Sequence, residues 1–109
     1  MSKIEFIHKR NGEIVPFTPE KITNAIFKSF KANNDYEKDK AEKISNQVVS
    51  ILEAVYKNGK IPTVENVQDV VETTLINNGY IQIAKSYILY RDQHSKLREI
   101  KDLLKDSIT

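Results

Sequence analysis

The chain has 109 residues, of which 39% are hydrophobic and 29% charged, and this balance indicates one globular domain with its own core. The complete absence of cysteine excludes disulfides, thiolate metal ligands and a cysteine nucleophile, and it fits a cytoplasmic protein. No apolar run is long enough to cross a membrane, and a formal charge of +2 is too small to favour DNA as a partner.

Residues 3–17 predict a β-hairpin around Asn11-Gly12, the dipeptide that most favours a two-residue type I′ loop. In that register Arg10 faces Glu13, and side chains alternate between the two faces of the hairpin. One face carries Ile4, Phe6, His8, Val15 and Phe17, and the other carries Ile7, Lys9, Ile14 and Pro16. The second face is then an apolar platform with a cation near its end.

Four helices and a helical tail follow the hairpin in the hydrophobic pattern. Thr18 and Pro19 predict the start of a helix over 19–32, and a second helix is predicted over 37–57. Thr63 caps a third helix that Asn78-Gly79 closes, a fourth begins near Ile81, and residues 96–108 form the tail. The predicted apolar stripes are Ile22, Ile26, Phe27 and Phe30; Ala41, Ile44, Val48, Ile51, Leu52 and Val55; Val64, Val67, Val70, Val71 and Leu75; Ala84, Tyr87 and Ile88; and Leu97, Ile100, Leu104 and Ile108.

The sequence contains no recognisable catalytic or metal-binding motif. His8 and His94 lie far apart and neither has the spacing of a metal site, and there is no P-loop, G-x-G-x-x-G or G-x-S-x-G pattern. We therefore predict no catalytic residue and no protein-held metal.

Three cations surround the predicted junction of hairpin and helix. Lys9 and Arg10 lie at the hairpin tip, and Lys21 lies in the first turn of the first helix, where free N–H groups favour phosphate. A solvated hairpin tip explains the same residues. Both interpretations stay open on spacing alone.

Two stretches of the chain resemble one family. The stretch IHKRNGEIVPFTPEKITNAIFKSF is similar to the opening of an ATP-cone domain, whose pattern reads Val-x-Lys-Arg-Asp-Gly and then Pro-Phe-Asp-x-x-Lys-Ile. The matching positions are Lys9, Arg10, Gly12, Pro16, Phe17, Lys21 and Ile22. Asn11 and Thr18 replace aspartates of that pattern and keep the turn and cap chemistry. The stretch PTVENVQDVVETTLINNGYIQIAKSYILYRDQ resembles the family's third and fourth helices, so the resemblance covers about residues 4–94.

The resemblance implies a fold and a ligand. The fold is α+β and mainly helical, with a small N-terminal β-hairpin or three-stranded sheet covering a four-helix bundle. The ligand is ATP or dATP, accompanied by Mg²⁺. In the implied site Lys9 and Arg10 meet phosphates, Lys21 and Ile22 lie along the nucleotide, and Ile7 touches the base. Thr63 and Arg91 are further implied contacts, and Arg91 has the alternative of a salt-bridge partner at a helix end.

The resemblance also implies a role in regulation rather than catalysis. Residues 1–94 are expected to form the ATP cone, and residues 95–109 a helical tail or linker toward a catalytic domain that this chain does not hold. The chain alone is not expected to be an enzyme. It would control a ribonucleotide reductase through changes in assembly, so oligomerisation is expected. The many lysines and asparagines fit the anaerobic class of that enzyme.

Two alternatives of other classes remain. One is the cone of a transcriptional repressor of reductase genes, whose zinc ribbon with four cysteines would be missing. The other is a helical interaction module without a ligand, in which Lys9, Arg10 and Lys21 are merely exposed.

Overall fold

The computed structural model describes residues 3–108, with side chains described for residues 3–105. The elements in chain order are β1 (Phe6–His8), β2 (Ile14–Pro16), α1 (Pro19–Lys31), α2 (Lys38–Val55), α3 (Val64–Asn77) and α4 (Ile81–Ile108). β1 and β2 form an antiparallel sheet, and the predicted α+β, mainly helical class is confirmed. The outer limits of the predicted domains, residues 1 and 109, and the side chain of Ile108 lie outside the described part.

The four helices form a bundle in which each helix packs against the next and α4 also packs against α1. Apolar side chains recur at helical spacing on each helix, and their burial in the shared interior is the main source of stability. The core consists of Ile22, Ile26, Phe30, Ala41, Ile44, Val48, Leu52, Val67, Val71, Leu75, Ile83, Ala84 and Tyr87.

Within the bundle, the predicted apolar stripes are wrong at three of the described positions. Ile51 and Val55 of α2 and Ile88 of α4 are exposed. On α2 the buried row runs through Val48 and Leu52, and Ile51 and Val55 lie at the margin of that row. The hydrophobic stripe of a helix is therefore narrower here than the sequence pattern indicates.

The hairpin register differs from the predicted one by one residue. Phe6 pairs with Pro16, Ile7 with Val15 and His8 with Ile14. The loop has three residues rather than two, because the Gly12 amide donates to the Lys9 carbonyl at 2.9 Å and the Lys9 amide donates to the Glu13 carbonyl at 2.8 Å. Gly12 has a φ of 85°, as in a type I turn followed by a left-handed glycine.

This register changes which side chains share a face. Ile7, Val15 and Phe17 lie on one face, and Ile7 and Phe17 pack against the core of the bundle. Ile14 and Pro16 lie on the opposite, exposed face with Phe6. The predicted platform of Ile7, Lys9, Ile14 and Pro16 is therefore wrong for its two β2 residues, Ile14 and Pro16.

The type I′ geometry expected at Asn11-Gly12 occurs instead at the second Asn-Gly pair. Asn58 and Gly59 have φ values of 61° and 78°, and the amide of Lys60 donates to the carbonyl of Lys57 at 3.3 Å. α2 has already ended at Val55, earlier than predicted.

The caps of α1 and α3 differ in strength. Thr63 forms a full capping box, because its hydroxyl accepts from the Asn66 amide and its own amide donates to the Asn66 side chain, each at 3.0 Å. Thr18 occupies the N-cap position of α1 as predicted, but its side chain makes no capping hydrogen bond. The start of α3 is consequently fixed more firmly than that of α1.

One further contact fastens the hairpin to the start of α3. The amide of His8 donates to the carbonyl of Pro62 at 2.9 Å, and His8 forms a parallel bridge with Thr63. β1 thus lies between β2 and the residues before α3, and the bridge from His8 to Thr63 adds a third segment of one residue to the sheet. The hairpin covers the end of the bundle where α1 and α3 begin.

Candidate functional site

The bundle-facing side of the hairpin carries Ile7 and, further toward the tip, Lys9. The two residues share a face because they are two positions apart on one strand. Lys9 Nζ lies 3.8 Å from Glu13 Oε2 across the hairpin, and both side chains are exposed. The prediction that an apolar side chain and a cation share this face is confirmed, with Val15 and Phe17 in place of Ile14 and Pro16.

Arg10 lies in the hairpin loop and reaches α3. Its Nε is 2.9 Å from Glu65 Oε1, in the first turn of that helix. The guanidinium therefore bridges the hairpin tip and the bundle, although the Arg10 side chain is still exposed.

Arg91 lies in the interior of α4 and is bound to two carboxylates of α3. Its Nη1 donates to Asp69 Oδ1 at 2.9 Å and to Glu72 Oε1 at 2.8 Å. Partial burial lowers the pKa of Arg91, but the hydrogen bonds that Arg91 donates to Asp69 and Glu72 outweigh it and raise the pKa above its ordinary value. The salt-bridge alternative for Arg91 is confirmed, although within the helix rather than at its end.

A cavity of about 280 Å³ lies where Arg10 of the hairpin loop meets α3 and α4. It is lined by Arg10, Glu72, Ile88, Arg91, Asp92 and Ser95. Two guanidinium groups from distant parts of the chain thus border one space. Nearby, burial raises the pKa of the Tyr87 phenol above its ordinary range, and the charge of Arg91 opposes that shift.

The remaining predicted residues lie at the helix starts. Thr63 is half-buried, and its hydroxyl accepts from the Asn66 amide, so the hydroxyl hydrogen stays available for donation. Lys21 is exposed in the first turn of α1, and Ile22 is buried in the core. The 280 Å³ cavity is lined by neither Lys21 nor Ile22. Ile22 is therefore part of the core of the bundle.

Sequence reasoning missed the acidic partners of the two arginines. Glu65, Asp69 and Glu72 are spaced i, i+4 and i+7, which places them on one side of α3. That spacing was the available signal, but the arginines they bind come from the hairpin and α4.

A second cavity of about 170 Å³ lies between α2 and α3 and is lined by Ile51, Asp69, Val70, Thr73 and Thr74. It has no cation in its lining. Among the residues that the structure describes, no group of three or more histidine, aspartate or glutamate side chains could hold a metal ion. None of the described helices has the length and apolarity of a membrane span.

Comparison with known proteins points to one family of domains. The model of the ATP cone domain matches residues 5–96. The chain is 38% identical to the vitamin B12-dependent ribonucleoside-diphosphate reductase of Thermoplasma acidophilum, over 93% of this chain and 13% of that protein. It is 37% identical to the ribonucleoside-diphosphate reductase subunit alpha of Chlamydia pneumoniae, over 84% of this chain and 10% of the relative.

A third relative is an anaerobic reductase. The anaerobic ribonucleoside-triphosphate reductase of Escherichia coli is 30% identical, over 94% of this chain and 14% of its own length. The chain therefore spans only a small part of the curated relatives it matches. The match over residues 5–96, together with the bundle and its covering hairpin, shows that the chain belongs to the ATP-cone domain family.

Proposed function

We propose that this chain is the regulatory domain that binds ATP or dATP and thereby controls the activity of a ribonucleotide reductase. The observation that carries the proposal is the cavity between hairpin tip, α3 and α4, which Arg10 and Arg91 both line. Guanidinium groups are the side chains best suited to bind phosphate, because their planar N–H pairs match its oxygens. The similarity to reductases supports the regulatory role.

In the proposed complex the phosphates lie between Arg10 and Arg91, with Lys9 close by on the hairpin. The base and ribose extend along the bundle-facing side of the hairpin, where Ile7 contacts the base. The free hydroxyl hydrogen of Thr63 and the ammonium of Lys21 lie at the two helix starts that this side covers. Ile22 supports that surface from the core.

Mg²⁺ would enter with the nucleotide and take its ligands from phosphate oxygens and water. ATP and dATP differ by one hydroxyl group, so they can act oppositely only if they favour different states of the enzyme. A coupling of about 1–3 kcal/mol is typical of such regulation. In this proposal the favoured states differ in assembly with other subunits.

The chain would not be an enzyme by itself, and its partner is the catalytic domain of the same enzyme. Residues 1–94 would form the nucleotide-binding unit and residues 95–109 the connection toward the catalytic part. The relatives include B12-dependent, alpha-subunit and anaerobic reductases, and assignment to the anaerobic class stays a prediction. The cytoplasmic location is likewise a prediction.

Titration calorimetry with ATP, dATP, GTP and ADP tests the proposal. We expect ATP and dATP to bind the wild-type chain, and we expect Lys9→Ala, Arg10→Ala and Arg91→Ala each to weaken binding about 10- to 100-fold, as for lost hydrogen bonds to charged groups. Lys43→Ala is the matched control, because Lys43 is exposed on α2, which contributes no residue to the 280 Å³ cavity. Absence of binding by both ATP and dATP would contradict the proposal, and size measurement with dATP tests the change in assembly.

A further inference from the structure

Both carboxylates that bind Arg91 contact the same nitrogen of its guanidinium. Asp69 and Glu72 accept from Nη1, at 2.9 and 2.8 Å. A guanidinium has five N–H groups, two of them on Nη1. Two acceptors therefore occupy Nη1 fully, whereas Nε and Nη2 have no partner within the described part of the chain.

The unpaired edge of Arg91 belongs to a side chain that lines the 280 Å³ cavity. Nε and Nη2 present parallel N–H groups, the arrangement that binds two oxygens of one phosphate. Arg91 is only 21% exposed, so its guanidinium is confined between α3 and α4. Its orientation is consequently set by the two carboxylates.

Arg10 is held in a related way from the same helix. Its Nε pairs with Glu65 Oε1 at 2.9 Å, and the two terminal nitrogens carry no partner within the described residues. α3 thus anchors both arginines through one nitrogen each. Because the capping box at Thr63 fixes the first turn of α3, these carboxylates project from a well-determined helix.

We propose that Asp69 and Glu72 are positioning residues for the effector: they hold Arg91 so that its Nε–Nη2 edge is ready for a phosphate group. This inference rests on the proposed function. An arginine that is already oriented loses less side-chain freedom when the phosphate binds. Losing this preorganisation is expected to weaken binding about 2- to 10-fold.

The same carboxylates could instead compete with the phosphate for Arg91. The two roles predict opposite signs, because removal of a competitor strengthens binding. The contacts at Nη1 favour positioning, since a phosphate at the Nε–Nη2 edge need not displace either carboxylate.

The test is a double-mutant cycle in ATP affinity, measured by calorimetry on the wild type, Glu72→Met, Arg91→Ala and the double variant. Methionine keeps the length of the side chain and removes the acceptor. We expect Glu72→Met to weaken binding about 2- to 10-fold in the wild-type background and to have no further effect beside Arg91→Ala. The conservative Glu72→Gln, which keeps an oxygen acceptor, is expected to recover the lost affinity.

Two measurements separate positioning from general damage to the fold. Melting of each variant without ligand establishes that it is folded, and Glu42→Met on the exposed side of α2 is the matched control, with wild-type affinity expected. A structural effect would weaken binding equally in both backgrounds and would overturn the inference.

The remaining outcomes are equally decisive. Tighter binding by Glu72→Met identifies a competitor and overturns the inference. If Arg91→Ala binds ATP with wild-type affinity, this inference is overturned. The proposed function then still stands, with Lys9 and Arg10 as the phosphate contacts. Failure of the wild-type chain to bind ATP and dATP removes the proposed function and this inference together.

Discussion

At the scale of single residues, Phe30 is the largest fully buried side chain of the described chain. It lies in the last turns of α1, and its ring meets that of Tyr80 edge-on, with centroids 5.1 Å apart. Tyr80 directly precedes α4, so this aromatic pair joins the end of α1 to the connection between α3 and α4. Such a pair contributes both buried area and a favourable ring geometry.

We expect Phe30→Ala to lower the free energy of unfolding by about 3–5 kcal/mol, because it removes buried area and leaves a cavity that the bundle cannot fill. Phe6→Ala is the matched control. Phe6 is 44% exposed on the outer face of the hairpin, and its loss should cost less than about 1.5 kcal/mol. Urea unfolding of the two variants measures the difference. Equal losses would show that the hairpin exterior contributes as much as the core.

At the scale of elements, the two threonine caps offer a comparison within one chain. Thr63→Ala removes the bond that the Thr63 hydroxyl accepts from the Asn66 amide and keeps the bond from the backbone amide of residue 63, and we expect a loss of about 0.5–2 kcal/mol. Thr18→Ala at the start of α1 should cost less than about 0.5 kcal/mol, because the Thr18 side chain makes no capping bond. Thermal unfolding of the two variants measures the difference. Similar losses would show that Thr18 caps α1 in solution.

Single elements also show where the local sequence is sufficient to predict the backbone conformation. Gly79 follows α3 in a left-handed conformation, and the amides of Gly79 and Tyr80 donate back to Ile76 and Leu75, as the Asn-Gly pair predicts. The hairpin loop could not be predicted in this way. Asn11-Gly12 fits both a two-residue loop and the end of a three-residue loop, and the choice depends on which face must pack against the bundle.

The choice between a two-residue and a three-residue hairpin loop determines which side chains face the candidate site. The observed loop places Val15 and Phe17 beside Ile7, and the contact of Ile7 and Phe17 with the core holds the hairpin over the starts of α1 and α3. The two-residue loop would turn Ile14 and Pro16 inward instead. Docking against the bundle is a long-range effect, so no window of a few residues contains the information that selects the register.

At the scale of the whole molecule, the candidate site depends on contacts between distant segments. The motif indicated Arg10 and Arg91 as ligand contacts, and the fold places both at one cavity. Their partners Glu65, Asp69 and Glu72 became visible only with the packing of α3 against the hairpin tip and α4. Ile22 illustrates the opposite case, because a residue within the matching motif is part of the core.

The longest helix extends beyond the bundle that it helps to form. α4 has 28 residues and α1 has 13, so α4 is about 42 Å long and α1 about 20 Å. The predicted helical tail is confirmed as a direct continuation of α4, without a break between the bundle and residue 108. Leu97, Ile100 and Leu104 are more than half exposed along this extension. The tail therefore adds little to the core.

Because the core lies in the bundle and the tail is exposed, we predict that a chain ending at residue 96, the last residue of the family match, folds without the tail. We expect its free energy of unfolding to differ from that of the whole chain by less than about 1 kcal/mol, because a solvated helix of this length is only marginally stable by itself. Its affinity for ATP should be unchanged, since the residues that line the cavity all precede residue 96. Urea unfolding and calorimetry measure both quantities. A large loss of stability would mean that the tail packs against the bundle in solution, and a loss of affinity alone would place part of the nucleotide site on the tail.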